Sequence, residues 1–263
     1  MSSTRINSVI LGECGNRTPI ILLHGWARSL SDLLPLGELL SADYPVHVLD
    51  LPGFGDSGMP QESWDTIQYA RRILQYLDDN GLAKVNLLGH SFGGRVTLRL
   101  ARLAPERIEK IILIGSHGLS PKRSFYQALR IWAIRRGAVI LKWIDAFFKT
   151  TLFKNWFTPR YGSQDYLAAG ALKGTLVKTV TEDQSAELPK ITAPALLIWG
   201  TEDLAAPLEM GRRMAHLIPR ARLLELPHQG HDPFLDVNAH LCAYHILPFL
   251  AEGQDVKEAV GNG

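Results

Sequence analysis

Cysteines and long apolar runs are scarce in this chain of 263 residues. Its two cysteines, Cys14 and Cys242, are 228 positions apart, which excludes a disulfide framework or a metal-ligand spacing and indicates incidental thiols in a reducing compartment. No run approaches the roughly 18 apolar residues of a membrane span, and the first residues lack the apolar core of a signal peptide. We therefore expect a soluble, cytoplasmic protein.

The chain also has little net charge and no repeated segment. Its formal net charge is +2, so nothing global indicates a nucleic-acid partner. Apolar residues make up 46% and charged residues 21%, which is ordinary for a globular protein with a sizeable core. The nine histidines show no H-E-x-x-H or related ligand spacing, so the sequence implies neither a metal nor a cofactor.

Short apolar runs alternate with helical stretches along most of the chain. The runs do not alternate with polar residues, which is typical of strands covered on both faces of a mainly parallel sheet. The predicted strands are 20–23, 46–49, 85–88, 111–114, 195–199 and 223–226, and the predicted helices are 33–40, 64–79, 92–103, 208–217 and 237–250. This order predicts an α/β fold, with a mostly parallel central sheet flanked by helices.

One segment breaks the alternation. From His117 to Pro189 the sequence has no strand-like run and is rich in aromatic and basic residues with helical character. Strands of the same kind resume after it. We therefore interpret residues 117–190 as a helical cap, inserted into a core made of residues 1–116 and 191–263.

The stretch "GHSFGG", residues 89–94, crowds three glycines around one serine where a predicted strand meets a predicted helix. A serine with small residues two before and two after fits a sharp, strained turn that exposes its hydroxyl. The following helix directs its N-terminal N–H groups toward the same place. A tight packing joint is the alternative, but the flanking elements favour Ser91 as a nucleophile.

Several motifs together resemble the α/β-hydrolase family. They are "LLHGW" (22–26), "DLPGFGDSG" (50–58), "GHSFGG", "IWGTEDLAAP" (198–207) and "GHDPFLD" (230–236), and they occur in that family's order. The resemblance spans roughly residues 18–116 and 191–250. It implies the α/β-hydrolase fold with a cap, and a nucleophile, an acid and a histidine in that chain order.

Two "TED" sequences offer candidate acids. Only the one at 201–203 directly follows a strand-like run, so it lies at the carboxyl edge of the predicted sheet. We select Asp203, with Glu202 as the alternative. A helix cap ahead of Pro207 is a second role that Asp203 could fill.

The chain order of the family, in which the histidine follows the acid, reduces the number of histidines that are candidate bases. His24, His47, His90 and His117 precede the acid, while His216, His240 and His245 fall in predicted helices. His231 follows a glycine on a loop and leads into the last helix, as in the resembling motif. His228 adjoins the strand end and stays the alternative.

The resemblance also implies an oxyanion hole of two backbone N–H groups, from Phe92 after the nucleophile and from Trp26 in the "LLHGW" loop. The alternative for Trp26 is a core aromatic. The "PGFGDSG" segment lacks the G-K-[ST] ending of a phosphate loop, so we do not expect nucleotide binding.

The predicted cap is strongly basic. Between His117 and Arg160 it has nine Lys or Arg residues against one acid, Asp145, giving +8 and leaving −6 for the rest of the chain. One interpretation is an aromatic face over the active site and a solvated basic face. The other is that the basic face meets an acidic carrier protein, an anionic surface or an acidic substrate. Carboxylesterases that cleave methyl esters on an acyl carrier protein look similar, with an "HGW" motif and a basic cap.

A serine in the nucleophile position argues against the family's dehalogenases and epoxide hydrolases, which use an aspartate. The sequence therefore predicts a carboxylesterase that acts on a small-molecule ester through an acyl-enzyme, with Ser91, His231 and Asp203 as its triad. The alternatives are hydrolysis of a carbon–carbon bond in ring-cleavage diketones and cofactor-free perhydrolysis. A non-catalytic ligand receptor is the alternative of another class.

Overall fold

Seven strands form one sheet in the order β1-β3-β2-β4-β5-β6-β7. The structure, a computed structural model, describes residues 4–13, 15–120, 125–157 and 164–252. The strands are β1 (Ser8–Leu11), β2 (Ile20–Leu23), β3 (Val46–Leu49), β4 (Val85–His90), β5 (Ile108–Ile114), β6 (Ala195–Gly200) and β7 (Ala221–Leu226). Only β1 pairs antiparallel, with β3, while the other pairs are parallel.

Helices cover both faces of this sheet. They are α1 (Leu34–Leu40), α2 (Thr66–Asp79), α3 (Phe92–Leu103), α4 (Phe125–Phe148), α5 (Gln164–Ala168), α6 (Lys173–Thr181), α7 (Leu208–Leu217) and α8 (Ala239–Ala251). All four residues of strand β2 are apolar because both of its faces are buried. Ile21 and Leu23 pack into one core cluster, and Ile20 and Leu22 pack into the other. The predicted fold class, a mostly parallel sheet flanked by helices, is confirmed.

Glycines let the strand ends and the first turn of α3 approach closely. A Cβ atom on Gly93 would lie 2.1 Å from the carbonyl oxygen of Leu23, and one on Gly89 would lie 2.5 Å from the carbonyl oxygen of Gly93. The backbone N–H of Gly93 donates to the carbonyl of His24. The loop after β2 therefore rests directly on the start of α3.

Between β5 and β6 the described residues form helices joined by turns and irregular segments, and no strand. Its second half is tied to the core, since Glu182 accepts hydrogen bonds from the backbone N–H and the hydroxyl of Thr66, at the start of α2. The Glu182 carbonyl accepts from Arg95 of α3, and the Leu172 side chain packs over Gly53. Residues 172–184 thus lie against the same layer of the core as α2 and α3.

Helix α4 exposes aromatic side chains, which differs from the interpretation in which these rings cover the site. Trp132, Trp143, Phe147 and Phe148 are 56–69% exposed. The reason lies in the sequence of α4, which is apolar around most of its circumference and so has more apolar surface than it can pack. Arg136, Lys142 and Lys149 are exposed as well. The other predicted basic side chains, Lys122, Arg123, Arg130, Arg135, Lys154 and Arg160, lie outside the described side chains, as does Phe125.

None of the helices in the described ranges is both long enough and apolar enough to cross a membrane. Cys242 is buried, and burial raises the pKa of its thiol to about 12. Cys14 lies outside the described residues. The cytoplasmic location and the boundaries of the cap stay predictions.

Replacing Gly93 with alanine tests the close approach on which the site depends. The new methyl group would collide with the Leu23 carbonyl, which is backbone and cannot turn aside. We expect Gly93→Ala to lower the free energy of unfolding by about 1–3 kcal/mol, as overpacking does, measured by urea denaturation. Gly15→Ala is the matched control, because no atom lies within 4 Å of its Cβ position. Equal stability of the two variants would contradict the packing argument.

Candidate active site

Ser91 stands between β4 and α3 in a strained backbone conformation. Its φ is +51° and its ψ is −108°, a region that residues with side chains rarely adopt. The Ser91 N–H donates to the carbonyl of Ile114, and the Ser91 carbonyl accepts from the N–H of His117, so the turn is held from the end of β5. This geometry is that of a nucleophile elbow at the carboxyl edge of the sheet.

Buried Asp203 and partly buried His231 form the acid–histidine pair of the site. The Nδ1 atom of His231 lies 2.8 Å from Oδ2 of Asp203. The other oxygen, Oδ1, accepts hydrogen bonds from the N–H groups of Ala205 and Ala206. A carboxylate so held fixes the His231 tautomer with its proton on Nδ1 and its acceptor on Nε2.

The end of β5 leaves space for this pair only because Gly115 has no side chain. A Cβ atom there would lie 3.1 Å from both Asp203 Oδ2 and His231 Nδ1. Gly115 also has a φ of +49°, which glycine adopts at no steric cost.

The two alternative residues, Glu202 and His228, pair with each other at the surface. Their closest atoms, His228 Nδ1 and Glu202 Oε1, are 3.0 Å apart, and their side chains are 88% and 64% exposed. They therefore form an exposed hydrogen-bonded pair beside the less accessible pair of Asp203 and His231. The geometry favours Asp203 and His231 over them.

His117 contacts the hydroxyl of Ser91, although sequence reasoning set it aside because it precedes the candidate acid. Its Nδ1 lies 3.2 Å from the Ser91 hydroxyl oxygen, and its Nε2 lies 3.1 Å from the carbonyl oxygen of Ala205. Within the described residues, the Ser91 hydroxyl has no hydrogen bond to His231. The sequence feature that could have indicated this contact is the position of His117, which follows β5 at the same edge of the sheet as Ser91.

The ring of His231 lies between two other histidines. Its centroid is 4.8 Å from that of His90 and 5.8 Å from that of His117. Burial, reinforced by the electrostatic influence of the neighbouring His231 ring, holds the pKa of His90 well below its ordinary value. His90 is therefore neutral, and its Nε2–H donates to the backbone carbonyl of His231. It positions the His231 loop through this hydrogen bond.

One group of possible metal ligands occurs within the described part of the chain. The ligand atoms of His90, His231 and Asp232 lie within 4.8 Å of one another. Asp232 already forms an ion pair with Arg28, and Nδ1 of His231 is taken by Asp203. These engagements favour a structural network over a metal centre.

The loop after β2 places Trp26 beside the elbow. The Cβ position of Gly25 is 3.4 Å from Cβ of Ser91. Within the described residues, the backbone N–H groups of Trp26 and Phe92 make no hydrogen bond. The rings of Trp26 and Phe92 are in edge-to-face contact at 5.4 Å, so the same two residues supply free N–H groups and an aromatic wall.

His24 locks the backbone of this loop. Its Nδ1 lies 2.7 Å from the carbonyl oxygen of Gly25, and its Nε2 accepts a hydrogen bond from the N–H of Leu51. Burial is the main cause that lowers the pKa of His24, so the ring is neutral and both contacts are satisfied. The histidine of "LLHGW" is thus a structural residue of the site.

Comparison with known proteins agrees with this geometry. The model of a family described as "Alpha/beta hydrolase family" matches residues 20–243. The chain belongs to the alpha/beta hydrolase family. It is a hydrolase by this membership, and its relatives include both esterases and hydrolases of carbon–carbon bonds.

Three curated relatives show the range of that family. A pimeloyl-[acyl-carrier protein] methyl ester esterase of Nitrosomonas europaea is 30% identical, over 87% of this chain and 94% of that protein. A 2-hydroxy-6-oxo-6-phenylhexa-2,4-dienoate hydrolase of Burkholderia cepacia is 26% identical, over 96% of this chain and 93% of the other. A dihydrolipoyllysine-residue acetyltransferase component of an acetoin cleaving system from Pseudomonas putida is 32% identical over 84% of this chain, which spans only 60% of that protein.

Solved structures share the fold. A bacterial membrane phospholipase A superposes with a TM-score of 0.74 at 26% identity, over 95% of this chain and 83% of the other. The enol-lactonase of Burkholderia xenovorans LB400 gives a TM-score of 0.71 at 26% identity, over 95% and 98%.

The buried neutral histidines predict how stability depends on pH. Above the ordinary histidine pKa of about 6.5, His24 and His90 are neutral in both the folded and the unfolded chain. Below it the unfolded chain binds protons that the folded chain cannot, so the free energy of unfolding decreases as the pH falls. Urea denaturation between pH 8 and pH 5.5 should show this decrease.

Substitution of His90 tests whether the buried histidine rings cause the pH dependence of the free energy of unfolding. His90→Gln removes one of them, so its free energy of unfolding should fall less steeply with acidification than that of the wild type. His216→Gln, at an exposed position, should keep the wild-type slope. An unchanged slope in His90→Gln would exclude this source of the pH dependence.

Proposed function

We propose that the protein is a serine hydrolase that cleaves a carboxylic ester through an acyl-enzyme, with Ser91, His231 and Asp203 as its catalytic triad. The observation that carries the proposal is the strained Ser91 at the strand–helix turn, with the hydrogen-bonded Asp203–His231 pair on the neighbouring loops. Strain of this kind persists where surrounding structure enforces it, and it is characteristic of functional sites.

In the acylation step, the Ser91 hydroxyl turns toward Nε2 of His231, which accepts its proton. The serine oxygen then forms a bond to the ester carbonyl carbon, and the carbonyl oxygen becomes an oxyanion. Asp203 stabilises the imidazolium without taking its proton. The tetrahedral species collapses when His231 returns the proton to the departing alcohol, which leaves the acyl group on Ser91.

The backbone N–H groups of Trp26 and Phe92 are the donors for the oxyanion. Both are free of hydrogen bonds within the described residues, and both lie at the elbow. Loss of one such donor typically costs about 2.7–4 kcal/mol of transition-state stabilisation. Water attacks the acyl carbon in the second half-reaction, with His231 again as the base.

A cluster of rings lies beside the nucleophile. Phe92 makes edge-to-face contacts with Trp26 and Tyr69, while Phe54 contacts Trp26. Leu172, from the segment between β5 and β6, belongs to the same apolar cluster. We infer that this wall receives an apolar acyl or alcohol group, with residues 117–190 acting as the cap.

Hydrolysis of a carbon–carbon bond is the second candidate. It is favoured by the likeness to the Burkholderia cepacia dienoate hydrolase, which extends over nearly the whole of both chains. The same serine, base and oxyanion donors serve both reactions, so the triad alone does not choose between them. Cofactor-free perhydrolysis is a third use of the same residues.

Labelling with a fluorophosphonate probe, followed by mass spectrometry, tests the proposal. We expect the probe to modify Ser91 and Ser91→Ala to be unlabelled. His231→Gln and Asp203→Asn should lower kcat toward a p-nitrophenyl ester by about 10⁴-fold or more.

The surface pair provides matched controls for this experiment. His228→Gln and Glu202→Gln change the same residue types nearby, and we expect both variants to keep wild-type activity. A folded protein that is unlabelled and inactive would favour a ligand receptor. A ring-cleavage diketone hydrolysed much faster than a panel of esters would favour the carbon–carbon reaction.

We also propose that the exposed face of α4 meets an anionic lipid surface. Trp132, Arg136, Val139, Trp143 and Phe147 recur at spacings of three and four residues and therefore share one face of the helix. All five are exposed. Aromatic and apolar side chains with interspersed cations are typical of helices that lie in a bilayer interface.

The charge of the cap supports an anionic occupant. The segment from His117 to Arg160 carries a formal charge of +8, which favours contact between this part of the chain and acidic headgroups. A carrier protein would also attract these charges. The exposed tryptophan and phenylalanine rings favour the lipid surface, because an interface takes up such rings without a shaped partner pocket.

Sedimentation with vesicles tests this surface. We expect binding to phosphatidylcholine vesicles that contain phosphatidylglycerol, weaker binding to phosphatidylcholine alone, and loss of binding with rising salt. Trp143→Ala combined with Phe147→Ala should reduce binding several-fold, whereas Val237→Ala, a highly exposed apolar side chain elsewhere, should not. Absence of vesicle binding, with salt-sensitive hydrolysis of an acyl-carrier ester, would assign the surface to a carrier protein instead.

A further inference from the structure

His117 is a second histidine on the nucleophile, with a chemical environment unlike that of His231. Its Nε2 faces the carbonyl oxygen of Ala205, which can only accept, so the ring proton resides on Nε2. Its Nδ1 is then a bare acceptor, 3.2 Å from the Ser91 oxygen. In this arrangement the serine hydroxyl donates its single proton to His117.

The surroundings of His117 make it a poor base. Burial is the main cause that lowers its pKa to about 4, with further contributions from the positive charge of Arg95 and from the neighbouring His231 ring. Arg95 is itself buried, with its guanidinium on the carbonyl of Glu182. Where His231 has a carboxylate to stabilise an imidazolium, His117 has only a carbonyl. It can accept a hydrogen bond from Ser91 but cannot hold the proton.

We infer that His117 is a positioning residue that holds the Ser91 hydroxyl in a resting orientation, from which it must be released before His231 can take its proton. The inference rests on the proposed function. The hydrogen bond to His117 exists while Ser91 has its proton and disappears once that proton has moved to His231. It therefore stabilises the free enzyme but not the transition state of acylation, and so it slows that step.

The backbone keeps His117 at this place whatever its side chain. Its N–H donates to the carbonyl of Ser91, and the N–H of Gly115 donates to the carbonyl of Ile198. Substitutions at position 117 therefore change the side-chain contacts with little effect on the loop. This allows the two contacts of the ring to be separated.

Two substitutions with amide side chains test the two contacts of the His117 ring separately. His117→Asn places an amide oxygen near the Nδ1 position, so it keeps an acceptor for Ser91 and loses the contact with Ala205. His117→Gln places an amide nitrogen near the Nε2 position, so it keeps the contact with Ala205 and loses the acceptor. We expect a fluorophosphonate to label His117→Gln about three- to tenfold faster than the wild type, the ratio that an ordinary neutral hydrogen bond corresponds to. His117→Asn should be labelled close to the wild-type rate.

A merely structural role, exerted through the loop of Ala205, predicts the opposite order, with His117→Gln normal and His117→Asn impaired. His117→Ala, which lacks both contacts, should also be labelled faster, and it replaces His117→Gln if that variant does not fold. Burst kinetics with a p-nitrophenyl ester should show faster acylation and unchanged deacylation, because Ser91 has no proton in the acyl-enzyme.

The outcomes distinguish this inference from the function on which it rests. A wild-type protein that the probe does not label would overturn both. If the probe labels the wild type but labels His117→Gln no faster than the wild type, only the role of His117 is overturned. Nitrogen NMR of the wild type adds a test without substitution: we expect His117 as the Nε2–H tautomer at neutral pH, and an Nδ1–H tautomer would contradict the inference.

Discussion

The backbone of Ser91 is the constraint from which the rest of the site follows. A positive φ at a residue with a side chain is unfavourable, and it is maintained here by hydrogen bonds from the end of β5 and by close approach of the β2 loop. That approach requires hydrogen at the Cα of Gly93, because any larger group would meet the Leu23 carbonyl. The same contacts place Trp26 beside Phe92, with their rings in edge-to-face contact. The proposed nucleophile and the proposed oxyanion donors are thus consequences of one packing arrangement.

The three histidines near Ser91 have different hydrogen-bond partners, and these partners suit them to different roles. His231 faces a carboxylate, whereas His117 faces a carbonyl and His90 is buried against backbone. A carboxylate stabilises an imidazolium and a carbonyl does so far less, so one ring is suited to take a proton and the others to direct hydrogen bonds. The three rings lie within 6 Å of their neighbours, yet their environments assign them separate tasks.

The central strands could be predicted from the sequence because both of their faces are buried. Ile20–Leu23 and Ala195–Gly200 read as unbroken runs without a polar side chain for that reason. The edge strand Ser8–Leu11 was not predicted, because its residues are partly exposed and its pattern resembles that of a loop. The contact of His117 with Ser91 was also missed, since chain order says which residue follows a strand but not which way its ring points. The exposure of the α4 rings was not predicted for a related reason. Hydrophobic periodicity does not show which of two apolar faces of a helix packs against the core.

A crystal structure of the protein inactivated by a fluorophosphonate tests the central claim most directly. The account predicts a bond between phosphorus and the Ser91 oxygen, with the phosphonyl oxygen about 2.7–3.1 Å from the N–H groups of both Trp26 and Phe92. It also predicts His231 Nε2 directed at the adduct, with Nδ1 still on Asp203. An adduct on another residue, or a phosphonyl oxygen turned away from those two N–H groups, would contradict it.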